Sequence, residues 1–281
     1  MIDTPTKDQN KNTTVAMVYD FDGTLASGDM QDTLIKDLGM SPKNFWNEKD
    51  KLARNKDIDN ILAYMYLLIY KAKEKGFITR GKLEEYGSKL KFFQGVEGWF
   101  ERINTFGDNY GIEVKHYIVS CGLREMISAS PIGKELDHIW AASFMYGEDG
   151  KAIWPALSVN YTTKVQYLFR INKGVLNSYD DELVNKDMLP EKRPIPFSNM
   201  VYIGDGDTDI PSMKMTVHKG GQAIAVYDPN QQNKKESCKL LKLRKCVDYY
   251  AEADYREGKG LDLIIKDILS YIGTRSHSIT Y

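Results

Sequence analysis

The sequence predicts an α/β fold: a parallel sheet with helices on both faces, and a smaller helical module inserted after the first strand. Short apolar runs recur at residues 15–19, 114–119, 200–203 and 223–226, and each is followed by a turn with Gly, Asp or Ser and then by a helical pattern. Between residues 28 and 94 no such run is evident, and apolar residues recur at helical spacing instead. The alternation predicts the sheet, and its interruption predicts the inserted module.

The first apolar run illustrates the assignment of strands. Residues 15–19 contain two Val and lead directly into a polar turn that contains Gly. A short, uninterrupted apolar run of this kind is typical of a strand buried on both faces, as in parallel sheets. We therefore expect residues 15–19 to lie inside the sheet.

Three helices are predicted in the inserted region, at residues 31–38, 58–72 and 82–90. The second has the clearest pattern, because its apolar residues follow i, i+3, i+4, i+7 spacing. Asp57 or Asp59 is placed to cap its N-terminus. The region is thus predicted to be helical throughout.

The domain organisation follows from these elements. Residues 14–27 and 96–281 form the predicted α/β core domain, and residues 28–95 form the inserted helical domain. A helix over about residues 95–106 returns the chain to the α/β pattern. The Pro-containing stretch 172–199 is predicted to be a long loop or an elaboration.

Composition excludes some classes of function. Charged residues make up 27% of the chain and the formal net charge is -1, whereas a dedicated nucleic-acid-binding protein usually has a strongly basic face or tail. The Lys-rich stretch 234–245 is interpreted as a solvated helix face. We therefore expect no nucleic-acid partner.

Cysteine content and hydropathy predict a cytoplasmic protein. Three Cys do not form a disulfide framework, and this low, odd count fits a reducing compartment. Residues 1–14 are polar and lack the apolar core of a secretory signal. The most apolar run, residues 61–70, is far shorter than the roughly 20 residues of a membrane-spanning helix. No membrane association is expected.

The clearest chemical signal is the string Asp-Phe-Asp-Gly-Thr-Leu at residues 20–25. The preceding strand delivers Asp20 to the carboxyl edge of the sheet, where ligands bind in open α/β folds. Asp22 reaches the same side, since the two residues alternate along an extended backbone. Two carboxylates so close repel each other unless a cation relieves them, and Mg2+ is a suitable hard cation. Gly23 permits a sharp turn, and Thr24 offers a hydroxyl and an N–H.

This string resembles the first signature of the haloacid dehalogenase superfamily, which has a Rossmann-like core and consists mostly of phosphatases. The resemblance implies that Asp20 attacks phosphorus and forms an aspartyl-phosphate. It also implies that Asp22 protonates the leaving oxygen and then activates water. Dehalogenases of the family lack an Asp at this second position, because a halide leaves without protonation. Asp22 therefore favours phosphate ester chemistry.

The second family signature is an apolar strand that ends in Ser or Thr, and residues 116–120 fit it. The resemblance implies that Ser120 donates its hydroxyl to a phosphate oxygen. The N–H groups of Cys121 and Gly122 would add to the phosphate site at a predicted helix start, and Thr24 is a further candidate. Cys121 is interpreted as a buried small residue rather than a nucleophile, because no partner His is indicated.

The third signature is a Lys at the start of a helix. Lys164 follows Asn160 and Thr162, either of which can cap the helix, so that Lys164 falls in its first turn. The helix dipole disfavours a cation there, which suggests an anionic partner. The resemblance implies that Lys164 neutralises both Asp20 and the phosphate. Lys173 is the competing candidate, although it lies near the far end of the helix.

The fourth signature is an acidic loop after a strand, and residues 204–209 read Gly-Asp-Gly-Asp-Thr-Asp. The resemblance implies that Asp205 binds Mg2+ directly. Asp209 would lie behind the direct ligands or reach the ion through water, and the backbone carbonyl of Asp22 would also bind the ion. Asp207 occupies a variable position and is expected to face solvent.

Together these signatures predict an Mg2+-dependent phosphohydrolase that acts on a small phosphorylated metabolite. A phosphotransferase or phosphomutase with the same intermediate, or a binding protein that has lost turnover, are the alternatives. The inserted residues 28–95 occupy the position of the family's cap domain and resemble the phosphoserine phosphatase branch. That branch usually has a Glu after the first signature, whereas here Asp29 or Asp32 is the nearest acid. The sequence leaves the substrate and the oligomeric state open.

Overall fold

The computed structural model describes residues 13–73, 78–206 and 208–278. Within them a sheet of seven strands has the order β4-β3-β2-β1-β5-β6-β7. Only the β3–β4 pair is antiparallel. The strands are β1 (Thr13–Tyr19), β2 (Ile112–Leu123), β3 (His138–Tyr146), β4 (Ala152–Leu157), β5 (Met200–Gly204), β6 (Gln222–Tyr227) and β7 (Tyr249–Glu252).

Helices cover the sheet and form the insertion after its first strand. They are α1 (Asp32–Asp37), α2 (Pro42–Lys56), α3 (Asn60–Ala72), α4 (Arg80–Gly87), α5 (Trp99–Asp108), α6 (Arg124–Ser128), α7 (Lys164–Lys173), α8 (Asp181–Asn185), α9 (Ile210–His218), α10 (Gln232–Leu243) and α11 (Gly260–Ser278). Among the described residues, none of these helices has both the length and the apolar character needed to cross a membrane. The predicted fold class is confirmed.

The order of the strands reverses direction at β1, which makes this position the topological switch point of the sheet. Its neighbours are β2 on one side and β5 on the other, so the chain leaves the central strand in both directions. Tyr19 pairs with Ile118 and with Ile203, which brings the carboxyl ends of the three strands to one edge. Ligands bind in the crevice outside such an edge in open α/β sheets. The first, second and fourth signatures therefore converge there.

Both faces of the sheet are packed. Val15, Met17 and Tyr19 face one hydrophobic cluster, while Ala16 and Val18 face the other. A strand buried on both faces cannot show polar alternation, which is why it appeared in the sequence as a continuous apolar run. All four strands predicted from such runs are present.

The strands β3, β4 and β7 were not predicted. The antiparallel strand β4 lies at the edge of the sheet, exposes three of its six residues and contains Pro155, which is tolerated at edges. The strand β7 has only four residues. Neither produces the short buried run on which the predictions were based.

The helix start predicted at the end of the second signature was wrong. The helix expected to begin at Cys121 and Gly122 begins instead at Arg124, because β2 continues through Leu123. The pairing of β2 with β3 shifts register between Ser120 and Leu123. This irregularity keeps the chain extended past the end of the second signature.

In the inserted region the three predicted helices appear as α1, α3 and α4. Asp59 caps α3, since its carboxylate accepts hydrogen bonds from the N–H groups of Ile61 and Leu62. The helix α2 was missed, because its sequence is largely polar and buries few apolar residues. It begins at Pro42, after Ser41 accepts a hydrogen bond from the N–H of Asn44.

The inserted helices pack directly on the α/β core. Phe45 and Leu68 belong to the same hydrophobic cluster as Val15. At the contact between α4 and α6, a Cβ on Gly87 would lie 2.2 Å from the carbonyl oxygen of Met126, so only glycine fits there. The assignment of residues 28–95 as a separate cap domain stays a prediction.

The insertion begins and ends at neighbouring points. Ala26 and Phe92 form an antiparallel bridge. The N–H of Ser27 donates to the carbonyl of Lys91 at 3.1 Å, and the N–H of Phe93 donates to that of Leu25 at 2.9 Å. The two chain crossings are therefore hydrogen-bonded to each other beside the carboxyl edge of the sheet.

Candidate active site

A cavity of about 750 Å³ lies between this edge and the inserted helices. Its lining includes acidic, aromatic and cationic side chains from both parts of the molecule. From the core these include Asp20, Asp22, Ser120, Cys121, Gly122, Asp205, Asp228 and Lys234; from the insertion they include Asp29, Asp32, Trp46, Lys49, Ile61 and Tyr64.

The end of β1 places two carboxylates in this cavity. Asp20 follows Tyr19 directly, and its N–H donates to the carbonyl of Ile203 at 2.9 Å. Asp22 Oδ1 accepts a hydrogen bond from the N–H of Met30 at 3.0 Å. Gly23 has a φ of +72°, and a Cβ there would lie 2.7 Å from Asp205 Oδ2. The turn therefore requires glycine for its conformation and for the close approach of Asp205.

Lys164 is the first residue of α7 and is completely buried. The turn before it is fixed by Asn160, whose side-chain oxygen accepts hydrogen bonds from the N–H groups of Thr162 and Thr163. Lys164 Nζ lies 2.8 Å from Asp20 Oδ1 and 2.8 Å from Asp209 Oδ1. The anionic partner expected from its position at a helix N-terminus is therefore a pair of carboxylates.

The competing lysine is used elsewhere. Lys173 Nζ donates to the carbonyl oxygens of Val184 and Lys186, each at 2.7 Å. It thereby anchors the segment after α7, which contains α8. Lys164, rather than Lys173, is the lysine brought to Asp20.

The loop after β5 supplies two further carboxylates. Asp209 is fully buried, and its Oδ1 also accepts a hydrogen bond from the hydroxyl of Tyr202 at 2.7 Å. A Cβ on Gly204 would lie 2.4 Å from Asp209 Oδ2, so this carboxylate packs against a glycine. Asp205 points into the cavity, whereas Asp207 lies outside the described residues. Asp20, Lys164, Asp205 and Asp209 are called the floor cluster below.

Burial and mutual repulsion perturb these carboxylates. Burial, reinforced by Asp209 and Asp205, raises the pKa of Asp20 to about 7 against the opposing effect of Lys164. Burial, Asp29 and Asp20 raise the pKa of Asp22 well above its usual range. Burial also raises the pKa of Asp205. The site therefore places more negative charge in a small volume than Lys164 alone offsets.

The floor cluster fits a hard divalent cation. Carboxylate oxygens of Asp20, Asp205 and Asp209 lie within 4.8 Å of one another. Asp209 Oδ2 is buried and has no hydrogen-bond partner among the described residues. Oxygen ligands of this kind suit Mg2+, which would also relieve the repulsion. The cluster thus has the donor set of a magnesium site.

The residues predicted to bind phosphate differ in their placement. Ser120 and Gly122 line the cavity, but the N–H of Gly122 donates to Ser120 Oγ at 3.0 Å. Burial raises the pKa of Cys121 to about 12, which agrees with an unreactive thiol. Thr24 is fully buried and does not line the cavity, and its N–H donates to the carbonyl of Phe21 at 3.3 Å. Its role in phosphate binding stays a prediction without a supporting contact.

Comparison with known proteins identifies the family. The family model described as haloacid dehalogenase-like hydrolase matches residues 17–214. The chain belongs to this family. The match spans all four signatures, from β1 to α9.

One sequence relative and two solved structures are similar to this hydrolase. An uncharacterized protein of Borreliella burgdorferi is 31% identical over 275 residues, covering 88% of this chain and 93% of its own. A probable phosphoserine phosphatase from Vibrio cholerae has a TM-score of 0.60 at 15% identity, covering 94% of this chain and 67% of its own. A phosphoserine phosphatase in its apo form has a TM-score of 0.56 at 19% identity, covering 90% and 98%. At these identities the solved structures show a common fold.

The inserted helices give this hydrolase a wall that the sequence did not reveal. Trp46 and Lys49 of α2 and Ile61 and Tyr64 of α3 line the cavity opposite the floor cluster, and are called the roof below. Trp46 Nε1 is buried without a hydrogen-bond partner among the described residues. The hydroxyl of Tyr64 donates to the carbonyl of Cys121 at 2.8 Å, joining roof to core. Helical spacing identified Tyr64 only as part of a helix.

Lys234 was also missed as a site residue. The Lys-rich stretch of α10 was interpreted as a solvated face, but Lys234 Nζ lies 3.1 Å from Asp205 Oδ2. The interpretation is wrong for this residue, because α10 begins beside the cavity and its first turn faces the loop after β5. A cation in the first turn of a helix was the same signal that identified Lys164.

Proposed function

We propose that this hydrolase is a Mg2+-dependent phosphatase that cleaves small phosphorylated metabolites through an aspartyl-phosphate on Asp20. The observation that carries the proposal is the floor cluster, in which buried Lys164 joins Asp20 and Asp209 beside Asp205, which lines the cavity. Such a cluster can hold a nucleophilic carboxylate, a metal ion and a phosphoryl group together.

Asp20 is the proposed nucleophile. Lys164 holds one of its carboxylate oxygens at 2.8 Å, which fixes the side chain while the other oxygen is available to attack phosphorus. Attack forms the bond between Asp20 and phosphorus and breaks the bond to the leaving oxygen. Lys164 also offsets the negative charge that gathers in the transition state.

Asp22 is the proposed general acid and base. Burial and the neighbouring carboxylates raise its pKa, which favours the protonated form that can donate a proton to the leaving oxygen. The resulting carboxylate then accepts a proton from the water that hydrolyses the aspartyl-phosphate. The hydrogen bond from the N–H of Met30 keeps the carboxyl group oriented towards the cavity.

Mg2+ would be held by Asp20 and Asp205, with Asp209 close behind and the carbonyl of Asp22 as the further predicted ligand. When bound, the ion supplies positive charge that offsets repulsion between the carboxylates and the phosphate. Ser120 would donate its hydroxyl to a phosphate oxygen from the end of β2. Positioning and charge neutralisation account for most of the catalysis expected in phosphoryl transfer.

The roof supports a small substrate. A cavity of about 750 Å³ between core and insertion accommodates a metabolite rather than a folded protein partner. Residues 28–95 would act as the cap domain, shielding the aspartyl-phosphate from bulk water. Phosphoserine is one candidate, because solved structures of similar fold are phosphoserine phosphatases.

The test is hydrolysis of p-nitrophenyl phosphate by the full chain with Mg2+ and with EDTA. Activity should require Mg2+ and should fall at least about 10³-fold in Asp20→Asn, because the nucleophile is lost. Asp228→Asn is the matched control, since Asp228 lines the cavity and, within the described part of the chain, its carboxylate bonds Asn230 and Gln231 of its own turn. Absence of Mg2+-dependent activity towards this ester and a panel of phosphorylated metabolites would refute the proposal.

A further inference from the structure

Two lysines that differ in burial contact carboxylates of the floor cluster. Lys164 is fully buried between Asp20 and Asp209. Lys234 reaches Asp205 from the first turn of α10, and its side chain is 41% exposed. The ammonium group of Lys164 is thus enclosed by protein, while Lys234 lies where the cavity meets the solvent.

Lys234 forms an ion pair with Asp205, the carboxylate that the proposed function assigns to the metal. Its Nζ lies 3.1 Å from Asp205 Oδ2, the same oxygen that lies against Gly23. A cation bound to Asp205 would share that carboxylate with the ammonium group. Two positive charges that share one carboxylate repel each other strongly where water is partly excluded.

The two lysines differ in whether they can move away. Lys164 has no exposed surface, so leaving Asp20 would strand a buried charge. Lys234 has a flexible four-carbon stem and a side chain that is 41% exposed, so its ammonium group can turn towards water when it leaves Asp205. Only the second pair can exchange for a metal ion.

We propose that Lys234 is a displaceable internal cation that occupies Asp205 and competes with Mg2+ for it. This inference rests on the proposed function, since it takes Asp205 as a ligand of the ion. Lys234 neutralises the floor cluster before the metal arrives and must leave Asp205 when it binds. Lys234 is thus a positioning residue that sets the affinity of the site for its metal.

The test is calorimetric titration of the full chain with Mg2+ alone, at fixed ionic strength, without substrate. Lys234→Gln should bind Mg2+ about three- to tenfold more tightly than the parent protein, because the competing ammonium is gone. Lys234→Arg keeps the cation and should bind no more tightly than the parent. Lys235→Gln is the matched control, because it removes the same charge from the neighbouring position of α10. Lys235 Nζ lies 6.0 Å from the centre of the Tyr227 ring.

The outcomes distinguish a failure of this inference from a failure of the proposed function. Tighter binding in Lys234→Gln, with Lys235→Gln within about twofold of the parent, supports competition at Asp205. Equal tightening in both lysine-to-glutamine variants, or tightening in Lys234→Arg, overturns it, because charge removal in general would then be the cause. A parent protein that binds Mg2+ and a Lys234→Gln variant that binds it equally also overturn it. A parent that binds no Mg2+ refutes the metal assignment as well.

Discussion

The floor cluster and the roof of the cavity are built in different ways. The floor joins Lys164 to two carboxylates at 2.8 Å, and all of these groups come from the ends of strands or the starts of helices in the α/β core. The roof presents aromatic rings and long side chains from two inserted helices. The positions of the charged groups in the floor therefore follow from the backbone topology of the core. The shape of the space above them follows from the side chains that the inserted helices present.

The largest expected effect breaks the floor. Lys164→Met leaves Asp20 and Asp209 buried without their cation, which should lower the free energy of unfolding by about 3–5 kcal/mol and abolish turnover. Chemical denaturation and hydrolysis of p-nitrophenyl phosphate measure the two effects.

Lys173→Met is the control on the same helix. Lys173 bonds backbone carbonyls of the segment that follows α7, so turnover should persist even where stability falls. If the Lys164 variant kept substantial activity, the floor would not be the chemical centre of the cavity.

The effect of intermediate size concerns His116, whose ring bonds to Tyr19, the residue before Asp20. The ring of His116 lies between the hydroxyl of Tyr19 and the side-chain oxygen of Asn104. Burial lowers its pKa from 6.5 to about 3. Below pH 6.5 the unfolded chain binds a proton that the folded protein refuses, so stability falls as the pH is lowered from 6.5 towards 3. The loss should be about 1.4 kcal/mol per pH unit, or about 2 kcal/mol at pH 5.

Denaturation of the parent and of His116→Gln between pH 8 and pH 4.5 measures this term. The variant has no imidazole to protonate, so its stability should fall less steeply over this range. Identical slopes would show that His116 is not the group responsible.

The smallest effect concerns the roof. Trp46→Phe keeps an aromatic ring but removes the buried Nε1 donor, which has no partner among the described residues. We expect KM for the best metabolite to rise about three- to tenfold with little change in kcat, since a phenyl ring is smaller than an indole and leaves part of the roof uncovered. Tyr66→Phe is the control, because Tyr66 is exposed on the outer side of α3. A fall in kcat comparable to that of Lys164→Met would remove the distinction between roof and floor.

The sequence predicted the floor because topology restricts it. Parallel strands end at the same carboxyl edge, which predicted that Asp20 and Asp205 lie at one edge of the sheet, and the family resemblance implied that they share one metal site. Lys164 was recognisable because a cation at a helix N-terminus is unfavourable without an anion. The partner hydroxyl of Tyr202 was not, since a tyrosine inside an apolar strand looks like a core residue.

The roof could not be predicted in the same way. Helical spacing shows that Tyr64 lies on a helix but not which way the helix faces, and α2 lacks a clear apolar stripe. Trp46 and Lys49 reach the cavity through packing between helices distant in sequence from the sheet. Lys234 was missed because a run of lysines resembles an ordinary solvated face until the helix is placed beside Asp205.

The two crossings between core and insertion have an evolutionary consequence. Because Ala26 and Phe92 are bridged, the gap left in the α/β chain by removing the insertion is only the distance between neighbouring strands. A segment inserted across such a gap can be replaced or resized by recombination without altering the sheet. The helices that form the roof can thus differ in length while β1 and the floor cluster keep their positions.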